Sequence, residues 1–374
     1  MTHRECFLKI MDGATTSWTP NYELGCWGQT IQRWIDEGIP TDRMYWNFWQ
    51  GEPFFKIDRH DYARINTGML PEFEYQVLEE TAEYVTARHA TGIVTKALKE
   101  GTVRGSRMSM DQYIAHPVTD RASWQEVKKR YNPQAPVRYP MLWDEMARAW
   151  KERDYPLCLL GNASFGLYSQ LRSWVGTEDI SYMFYDDPAL VEEMIEFNTD
   201  FFLQLVARAL PGMQFDYFSF FEDCAGKGGP LYGPELFNRF FRKPYKRIID
   251  ALRKGGVKSI WLDCDGDPMP LIPLWLEVGV NCLWPLEQAS GMDPLKLRKK
   301  FGKQLILAGG IDKMEIAKGR QAIEKELYAK IPPLLEQGGY IPFLDHAIPP
   351  DISYRDFTYY IELKLKLMGR GAIQ

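Results

Sequence analysis

The sequence predicts an α/β protein: a single (β/α)₈ barrel with an N-terminal extension, in which residues 1–374 form one domain. From about residue 155 onward, short apolar runs alternate with segments of helical period, which is typical of parallel βαβ units. An acidic residue followed by proline recurs where helices should begin. Six such units favour a closed barrel over an open doubly wound sheet, which is the alternative.

The predicted strands are the apolar runs between these helices. In chain order they span residues 156–161, 215–221, 257–262, 280–286, 304–308 and 340–344. Helix starts are predicted at Asp187-Pro188, Asp267-Pro268, Asp293-Pro294 and, with a capping box, at Asp312 and Glu315. This alternation of strand and helix is the order expected for a parallel sheet.

The first 150 residues are less regular. Their pattern predicts helices over residues 30–38, 72–90 and 141–153, with a proline-rich break over residues 132–140. Because six strands are visible further along, this stretch should supply the remaining one or two strands and the extension. No segment is rich enough in Gly, Ser or Pro to mark a linker to a second domain.

Charge and composition exclude several classes of partner. The chain has 45 Lys and Arg against 50 Asp and Glu, a net charge of −5, and therefore no electrostatic reason to bind nucleic acid or anionic membranes. Residues 1–13 are charged throughout, and no run approaches the roughly 18 apolar residues of a membrane span. We expect a cytoplasmic protein with neither a nucleic-acid nor a membrane partner.

Cysteines and aromatic residues point mainly to the core. Cys26, Cys158 and Cys282 lie in apolar or aromatic stretches, which predicts reduced core residues. The chain contains 12 Trp, 20 Tyr and 20 Phe, many of them early in the sequence. Most should pack in the core, although an aromatic-lined pocket for a flat substrate or cofactor is the alternative.

The residues that follow the predicted strands form a polar set. They are Asn162, Glu222, Asp223, Cys224, Asp263, Cys264, Asp265, Asp267, Glu287, Asp312, Asp345 and His346. In a barrel the carboxyl ends of the strands share one mouth, where catalytic groups lie. Carboxylates, thiols and an imidazole together suit metal binding or acid–base chemistry. Asp267 and Asp312 are expected to act as helix caps only.

Six segments resemble the uroporphyrinogen decarboxylase superfamily, including its corrinoid-linked methyltransferase branch. They are GNASFGLYSQLRSWVG (161–176), DDPALVEEM (186–194), YGPELFNRFFRKPYKRI (232–248), LDCDGD (262–267), AGGID (308–312) and GGYIPFLDHAIPPD (338–351). Their order and spacing carry the resemblance, which is strongest from about residue 156 to the end. The resemblance implies a barrel with its active site at the strand ends.

Two departures from the superfamily pattern bear on function. The decarboxylases have an arginine-rich opening motif that grips a tetrapyrrole, whereas residues 20–31 (PNYELGCWGQTI) contain no arginine. The thiol-alkylating methyltransferases bind zinc through a His-x-Cys pair and a late Cys, and here those positions hold Asp263, Asp265 and His346. The missing arginines disfavour porphyrinogen decarboxylation. The oxygen ligands disfavour thiol activation, because they change the Lewis acidity of zinc.

The resemblance implies a methyltransferase that moves a methyl group from a small methylated substrate, such as an aromatic methyl ether, to a corrinoid carried by a partner protein. A Zn²⁺ ion would polarise the substrate oxygen. Its predicted ligands are Cys224, Cys264, Asp265 and His346. The competing ligand set consists of the carboxylates together with His346.

The remaining predicted site residues are catalytic or line the substrate pocket. Glu222, Asp263 and Tyr168 are the predicted catalytic residues, while Trp27, Trp46 and Tyr168 are predicted to shape the pocket. The main alternative function is a metal-independent carboxy-lyase that uses Asp, His and Tyr side chains to steer a proton. A binding protein without catalytic activity is the third alternative.

Overall fold

The computed structural model describes residues 1–161 and 164–371. Its helices are α1 (His3–Met11), α2 (Gly28–Asp36), α3 (Arg121–Lys128), α4 (Trp143–Lys151), α5 (Tyr168–Val175), α6 (Thr177–Asp186), α7 (Pro188–Val206), α8 (Pro234–Leu236), α9 (Arg242–Lys254), α10 (Ile272–Val278), α11 (Pro294–Phe301), α12 (Lys313–Ile316), α13 (Arg320–Gln337) and α14 (Tyr354–Leu367). Across the described ranges, none of these helices has the length and apolar character needed to cross a bilayer.

The strands fall into four sheets. They are β1 (Asp61–Tyr62), β2 (Gln76–Glu80), β3 (Tyr84–Arg88), β4 (Val94–Leu98), β5 (Thr102–Val103), β6 (Ser106–Arg107), β7 (Gln112–Ala115), β8 (Leu157–Cys158), β9 (Tyr217–Phe221), β10 (Ala225–Gly226), β11 (Gly229–Pro230), β12 (Ser259–Asp263), β13 (Cys282–Trp284), β14 (Ile306–Ala308) and β15 (Tyr340–Ile341).

The main sheet contains all six strands predicted from the apolar runs. Its order is β1-β8-β9-β12-β13-β14-β15, and every adjacent pair is parallel. The seventh strand, β1, comes from the first 150 residues, as the sequence predicted. Because helices follow most of these strands, the α/β class and the parallel arrangement are confirmed.

The two faces of this sheet pack against different partners because side chains alternate along each strand. Phe218, Phe220, Ile260 and Leu262 face the helices in the largest core cluster. The intervening positions form a separate inner cluster, which α1 also enters. This inner cluster includes Cys158, Tyr217, Trp261, Cys282, Trp284, Ile306, Ala308, Ile341 and Phe343. Since residues from β8 to β15 meet in one interior, the sheet is strongly curled.

Residues 19–26, which form no regular strand, lie between the two ends of the curled sheet. On one side, the N–H of Asp58 donates to the carbonyl of Asn21 at 2.8 Å, just before β1. On the other side, the N–H of Ile348 donates to the carbonyl of Gly25 at 2.8 Å, beyond β15. The described residues contain no ladder between β1 and β15, so a closed eight-stranded barrel stays a prediction.

Glu23 fixes this segment in place. Its side chain is fully buried, forms an ion pair with Lys364 of α14, and accepts the hydroxyl of Tyr360 at 2.6 Å. Its other carboxylate oxygen accepts the N–H of Leu344 at 3.2 Å. Burial lowers the pKa of Lys364, and the Glu23 carboxylate opposes that shift. A single carboxylate therefore ties the segment to the last helix and to the end of β15.

The prediction of one helix over residues 72–90 is wrong. The segment forms the antiparallel strands β2 and β3, which continue through β4 to β7 in a four-stranded sheet. A tight turn separates the first two strands, and the N–H of Tyr84 donates to the Thr81 hydroxyl at 2.9 Å. The many glutamates of residues 72–90 favour a helix. The pairing of the β-branched and aromatic residues of β3 with β4 outweighs that preference.

Most of the other local predictions are confirmed. The helices predicted over residues 30–38 and 141–153 correspond to α2 and α4. Asp187 and Asp293 cap α7 and α11 through their side chains. Cys158 and Cys282 are buried, and Cys26 is half-buried against the second core cluster.

Two helix starts differ from the prediction. Asp312 caps α12, but its own N–H donates to Glu326 rather than to Glu315, so the predicted capping box is replaced by a tertiary contact. The helix predicted to begin at Asp267-Pro268 begins later, since α10 starts at Ile272. Asp267 instead accepts the N–H of Met269 in a turn, at 3.0 Å. The prediction of Asp267 as a helix cap is therefore wrong.

We expect Glu23→Gln to lower the free energy of unfolding by about 3 to 5 kcal/mol, because it leaves the buried ammonium of Lys364 without a counter-charge. The double variant Glu23→Gln/Lys364→Met should lose less than the sum of the two single variants. Chemical denaturation followed by circular dichroism measures both. Glu145→Gln, which removes an exposed ion pair with Arg148, is the control. Equal stability of Glu23→Gln and wild type would contradict the expectation.

Candidate active site at the strand ends

The carboxyl ends of the central strands lie side by side. Phe221, at the end of β9, is paired in register with Asp263, at the end of β12, and Asp263 is paired in turn with Trp284 of β13. The N–H of Glu222 donates to the carbonyl of Asp263 at 2.8 Å. The structure therefore brings the residues that follow β9 and β12 to one edge, as the sequence predicted. Asn162 lies outside the described residues.

Glu222 makes the contacts of a buried helix cap. Its carboxylate accepts the backbone N–H groups of Leu167, Tyr168 and Ser169 at 2.6, 3.0 and 3.2 Å. It also accepts the hydroxyl of Tyr245 at 2.6 Å. These N–H groups start α5, where a carboxylate is favoured by the helix dipole. Since no part of Glu222 is exposed, its predicted catalytic role has no geometric support and stays a prediction.

A close backbone contact makes this cap possible. Gly166, in the loop before α5, lies against β9, and a Cβ atom at that position would lie only 1.9 Å from the carbonyl oxygen of Phe221. The N–H of Phe221 donates to the carbonyl of Phe165 at 2.8 Å. Glycine is therefore required there for the start of α5 to reach the Glu222 carboxylate.

Cys224 and Cys264 form a buried thiol pair. Their sulfur atoms are 3.7 Å apart, and the Cys264 thiol also contacts the carbonyl of Asp265 at 3.2 Å. Both side chains belong to the outer core cluster. Burial raises the pKa of the Cys224 thiol well above its ordinary value, which favours the neutral thiol. The pair is therefore closed to solvent.

Asp265 and His346 form a second, open pair. Nε2 of His346 lies 3.6 Å from Oδ2 of Asp265, and roughly two fifths of each side chain is exposed. Burial raises the pKa of Asp265, His346 lowers it, and the carboxylates of Glu287 and Asp223 raise it further. Oδ1 of Asp265 is buried and makes no hydrogen bond within the described part of the chain. This pair therefore brings two partly exposed titratable groups together at the edge.

The four predicted zinc ligands therefore divide into two pairs. Within residues 1–161 and 164–371, no group of three or more His, Cys, Asp or Glu side chains is arranged to hold a metal ion. The thiols face the helical layer, whereas Asp265 and His346 face the mouth. As placed, the residues do not fit a single zinc site with either predicted ligand set. Zinc therefore stays a prediction.

The other catalytic predictions involve enclosed residues. Tyr168 is completely buried beside the ring of Tyr232, 4.9 Å between centroids, and burial raises its pKa. Its hydroxyl makes no hydrogen bond within the described residues. Asp263 is almost buried, and strand alternation places it on the same face as Trp261. Their catalytic roles, and the substrate contact of Tyr168, stay predictions.

The two tryptophans predicted to shape the pocket lie in the N-terminal extension. Trp27 precedes α2 and is 38% exposed, and its N–H donates to the carbonyl of Ile348 at 3.2 Å, close in sequence to His346. Trp46 packs against the second core cluster, and its N–H donates to the buried carboxylate of Glu52 at 2.7 Å. Trp27 is therefore the better placed of the two for a substrate contact.

Asp345 has a structural role. It is buried and accepts the N–H groups of Gln288 and Lys313 at 2.9 and 3.1 Å. The ammonium of Lys313 lies 3.2 Å from the same carboxylate. Asp345 therefore joins the ends of β13, β14 and β15 and positions the neighbouring His346.

A cavity opens beside this edge. Its volume is about 660 Å³, and it lies between α5, the start of α6 and strand β7. Phe221 and Asp223 form the part of its wall that belongs to the strand ends. The sequence did not predict the other polar residues of the wall. Those polar residues are Ser169, Arg172, Ser173, His116, Thr119, Thr177, Glu178 and Asp179. No strand-end pattern identifies them, because they come from α5, from the first turn of α6 and from the loop after β7.

Comparison with known proteins agrees with this architecture. The sequence profile of the uroporphyrinogen decarboxylase (URO-D) family matches residues 91–364, well over half of the chain. No curated protein sequence matches. Among solved structures, a methyltransferase from Methanosarcina mazei is similar in fold, with a TM-score of 0.57 and 11% sequence identity. The similarity covers 98% of this chain and 98% of that chain.

The buried carboxyl of Glu222 predicts a pH dependence of stability. Burial raises its pKa from 4.5 to about 7, although its hydrogen bonds oppose the shift. A pKa raised by folding contributes stability that is complete below the unfolded pKa and is lost as pH rises through the folded pKa. We expect the melting temperature of wild type to fall relative to that of Glu222→Gln between about pH 4.5 and pH 7.

Differential scanning calorimetry across this range measures the effect. Glu145→Gln, an exposed carboxyl on α4, is the control and should follow the wild-type curve. A constant difference in melting temperature between wild type and Glu222→Gln would show that Glu222 keeps its ordinary pKa.

Proposed function

The chain belongs to the uroporphyrinogen decarboxylase family, and from this premise we propose that it is a methyltransferase. It takes a methyl group from a small methylated substrate and transfers it to the corrinoid of a separate partner protein. The observation that carries this proposal is the cavity of about 660 Å³ beside the strand ends. Substrate-sized cavities with a few polar groups, at the strand ends of a parallel sheet, are the usual sites of small-molecule chemistry.

Two further observations support methyl transfer. The solved methyltransferase from Methanosarcina mazei shares the fold over almost its full length. Residues 20–31 contain no arginine, and their single charged residue, Glu23, is buried against Lys364. That segment therefore offers no counter-charges for a tetrapyrrole with several carboxylates, which disfavours porphyrinogen decarboxylation.

In this proposal the residues of the chain bind the donor, exclude water and manage the proton. A reduced corrinoid supplies a nucleophile for the methyl carbon, and the donor keeps the electron pair of the broken bond. When the donor is a methyl ether, the leaving group is an alkoxide or phenoxide anion, so a proton must reach its oxygen. We assign that proton to Nε2 of His346, whose 3.6 Å distance from Asp265 and partial exposure support the assignment.

The main alternative is a metal-independent carboxy-lyase. The same Asp265 and His346 pair favours it, because a lyase needs only a group that delivers a proton to the carbanion left by carbon dioxide. The two functions differ in their product. Methyl transfer yields a methylated corrinoid, whereas a lyase releases carbon dioxide and requires no methyl acceptor.

Methyl transfer is tested with purified protein, reduced cobalamin as acceptor and a panel of methyl ethers, methylated amines and methyl sulfides. We expect one of these donors to methylate the cobalamin, as followed by its absorbance spectrum. With a methyl ether as donor, His346→Ala should reduce the rate by roughly 100-fold or more if Nε2 delivers the proton. Asp351→Asn, an exposed residue of the same loop, is the control and should retain full activity. Release of carbon dioxide without any methylated product would favour the lyase.

Zinc is tested separately by elemental analysis. The sequence prediction requires about one zinc ion per chain, and its loss in His346→Ala and in at least one of Cys224→Ala and Cys264→Ala. Zinc binding by all four ligands would require the two pairs to come together, because no group of three or more such side chains is arranged to hold a metal ion in the described residues. Active protein that contains no metal would contradict the zinc prediction and leave the methyltransferase proposal intact.

A further inference from the structure

The cavity beside the strand ends carries an excess of negative charge. Its charged wall residues are Arg172, Glu178, Asp179 and Asp223, together with the titratable ring of His116. Arg172 forms an ion pair with Asp223 at 2.6 Å, so these two charges cancel. The carboxylates of Glu178 and Asp179, which are exposed to solvent, have no Lys or Arg partner among the residues that line the cavity.

Both carboxylates lie in the first turn of α6, where acids commonly complement the helix dipole. The N-terminus of a helix contributes only about half of one positive charge. This offsets about a quarter of the two negative charges. The surplus therefore persists in the cavity after the dipole is counted.

An aromatic pair lines the same cavity. The rings of Tyr113 and His116 are nearly parallel, 5.8 Å between centroids and 10° between planes. His116 is held by its contact with the carbonyl of Ser173 at 3.3 Å. Gly176 packs against it: a Cβ atom there would lie 2.8 Å from the His116 ring. Phe221 adds a third ring at the strand end.

Carboxylates beside aromatic ring faces are the groups that bind onium cations. The ring faces are electron-rich, and the positive charge of the onium ion is spread over its methyl groups. We infer that the cavity selects a cationic methyl donor of the quaternary ammonium or sulfonium class. This inference rests on the proposed methyl transfer and names the substrate class of the same site. It favours an onium donor over the aromatic methyl ether expected from the sequence.

The chemistry of an onium donor is balanced without a proton. The bond between nitrogen or sulfur and the methyl carbon breaks, and its electron pair stays on the heteroatom, which leaves as a neutral amine or thioether. The methyl carbon accepts an electron pair from the nucleophile of the acceptor. Because the leaving group is neutral, neither an acid nor a Lewis acid is needed to stabilise it.

The cavity wall and the mouth have Asp223 in common. Asp223 lines the cavity, and its carboxylate acts on Asp265, as does that of Glu287. Cations at this edge come from Lys313, which is bound to Asp345, and from Arg172, which is bound to Asp223. Asp223 is therefore the residue that connects the cavity wall to the Asp265 and His346 pair.

The test compares ligands of equal shape and different charge by isothermal titration calorimetry. The probes are para-hydroxyphenyl-trimethylammonium, its neutral isostere para-tert-butylphenol, and para-methoxyphenol as the ether. Trimethylsulfonium and tetramethylammonium distinguish the two onium classes. We expect the aromatic cation to bind at least roughly tenfold more tightly than either neutral probe, with an affinity that falls as salt is added.

The double variant Glu178→Gln/Asp179→Asn should reduce this preference by at least roughly threefold, because it removes the unmatched charges. Asp186→Asn, an exposed acid at the other end of α6 and outside the cavity, is the matched control. Melting temperatures verify that the variants fold. If the double variant does not fold, the probe series and its salt dependence in wild type decide the question.

Equal affinity of wild type for the cation and its isostere would overturn the inference, as would an unchanged preference in the folded double variant. Methyl transfer to reduced cobalamin is measured with the same probes. Cation preference without transfer from any donor would remove the proposed function and leave the charge selectivity of the cavity. Transfer from the ether, without cation preference, would remove only this inference.

Discussion

The buried ion pair between Glu23 and Lys364 is the interaction on which the arrangement of the whole sheet depends. It pins an irregular segment between the first and last strands, where no ladder of hydrogen bonds joins β1 to β15 in the described residues. Burying two charges costs desolvation energy, so the pair adds little net stability compared with an apolar contact. The pair instead fixes the position of residues 19–26, because only one placement of that segment satisfies both charges and the N–H of Leu344.

The same principle governs the mouth. Glu222 and Asp345 are buried acids whose oxygens accept backbone N–H groups from neighbouring elements. They hold α5 and the loops after β13 and β14 at fixed positions, which is a structural use of a strand-end carboxylate. Asp223 and Asp265, by contrast, remain partly open to solvent and are available for chemistry.

This division explains how the site combines order with negative charge. Each structural acid accepts several hydrogen bonds, whereas the ion-pair contact of Asp265 in the described residues is with His346 alone, and Glu287 and Asp223 lie nearby. Oδ1 of Asp265 is buried without a hydrogen bond in the described residues, which costs free energy unless a ligand or solvent satisfies it. An acidic mouth beside an acidic cavity suits a cationic or neutral donor and disfavours a polycarboxylate.

The class of fold follows from the sequence alone, because apolar runs that alternate with capped helices form a local pattern. The sequence also predicts that Asp263, Asp265 and His346 follow strands and share one edge, since parallel strands end on the same side. The roles of the strand-end acids and the make-up of the cavity wall depend on tertiary packing. Whether a strand-end acid accepts backbone N–H groups depends on elements far away in sequence, as for Glu222 with α5. The cavity wall, with its charges from α6 and rings from β7, likewise forms by packing of segments that no local pattern connects.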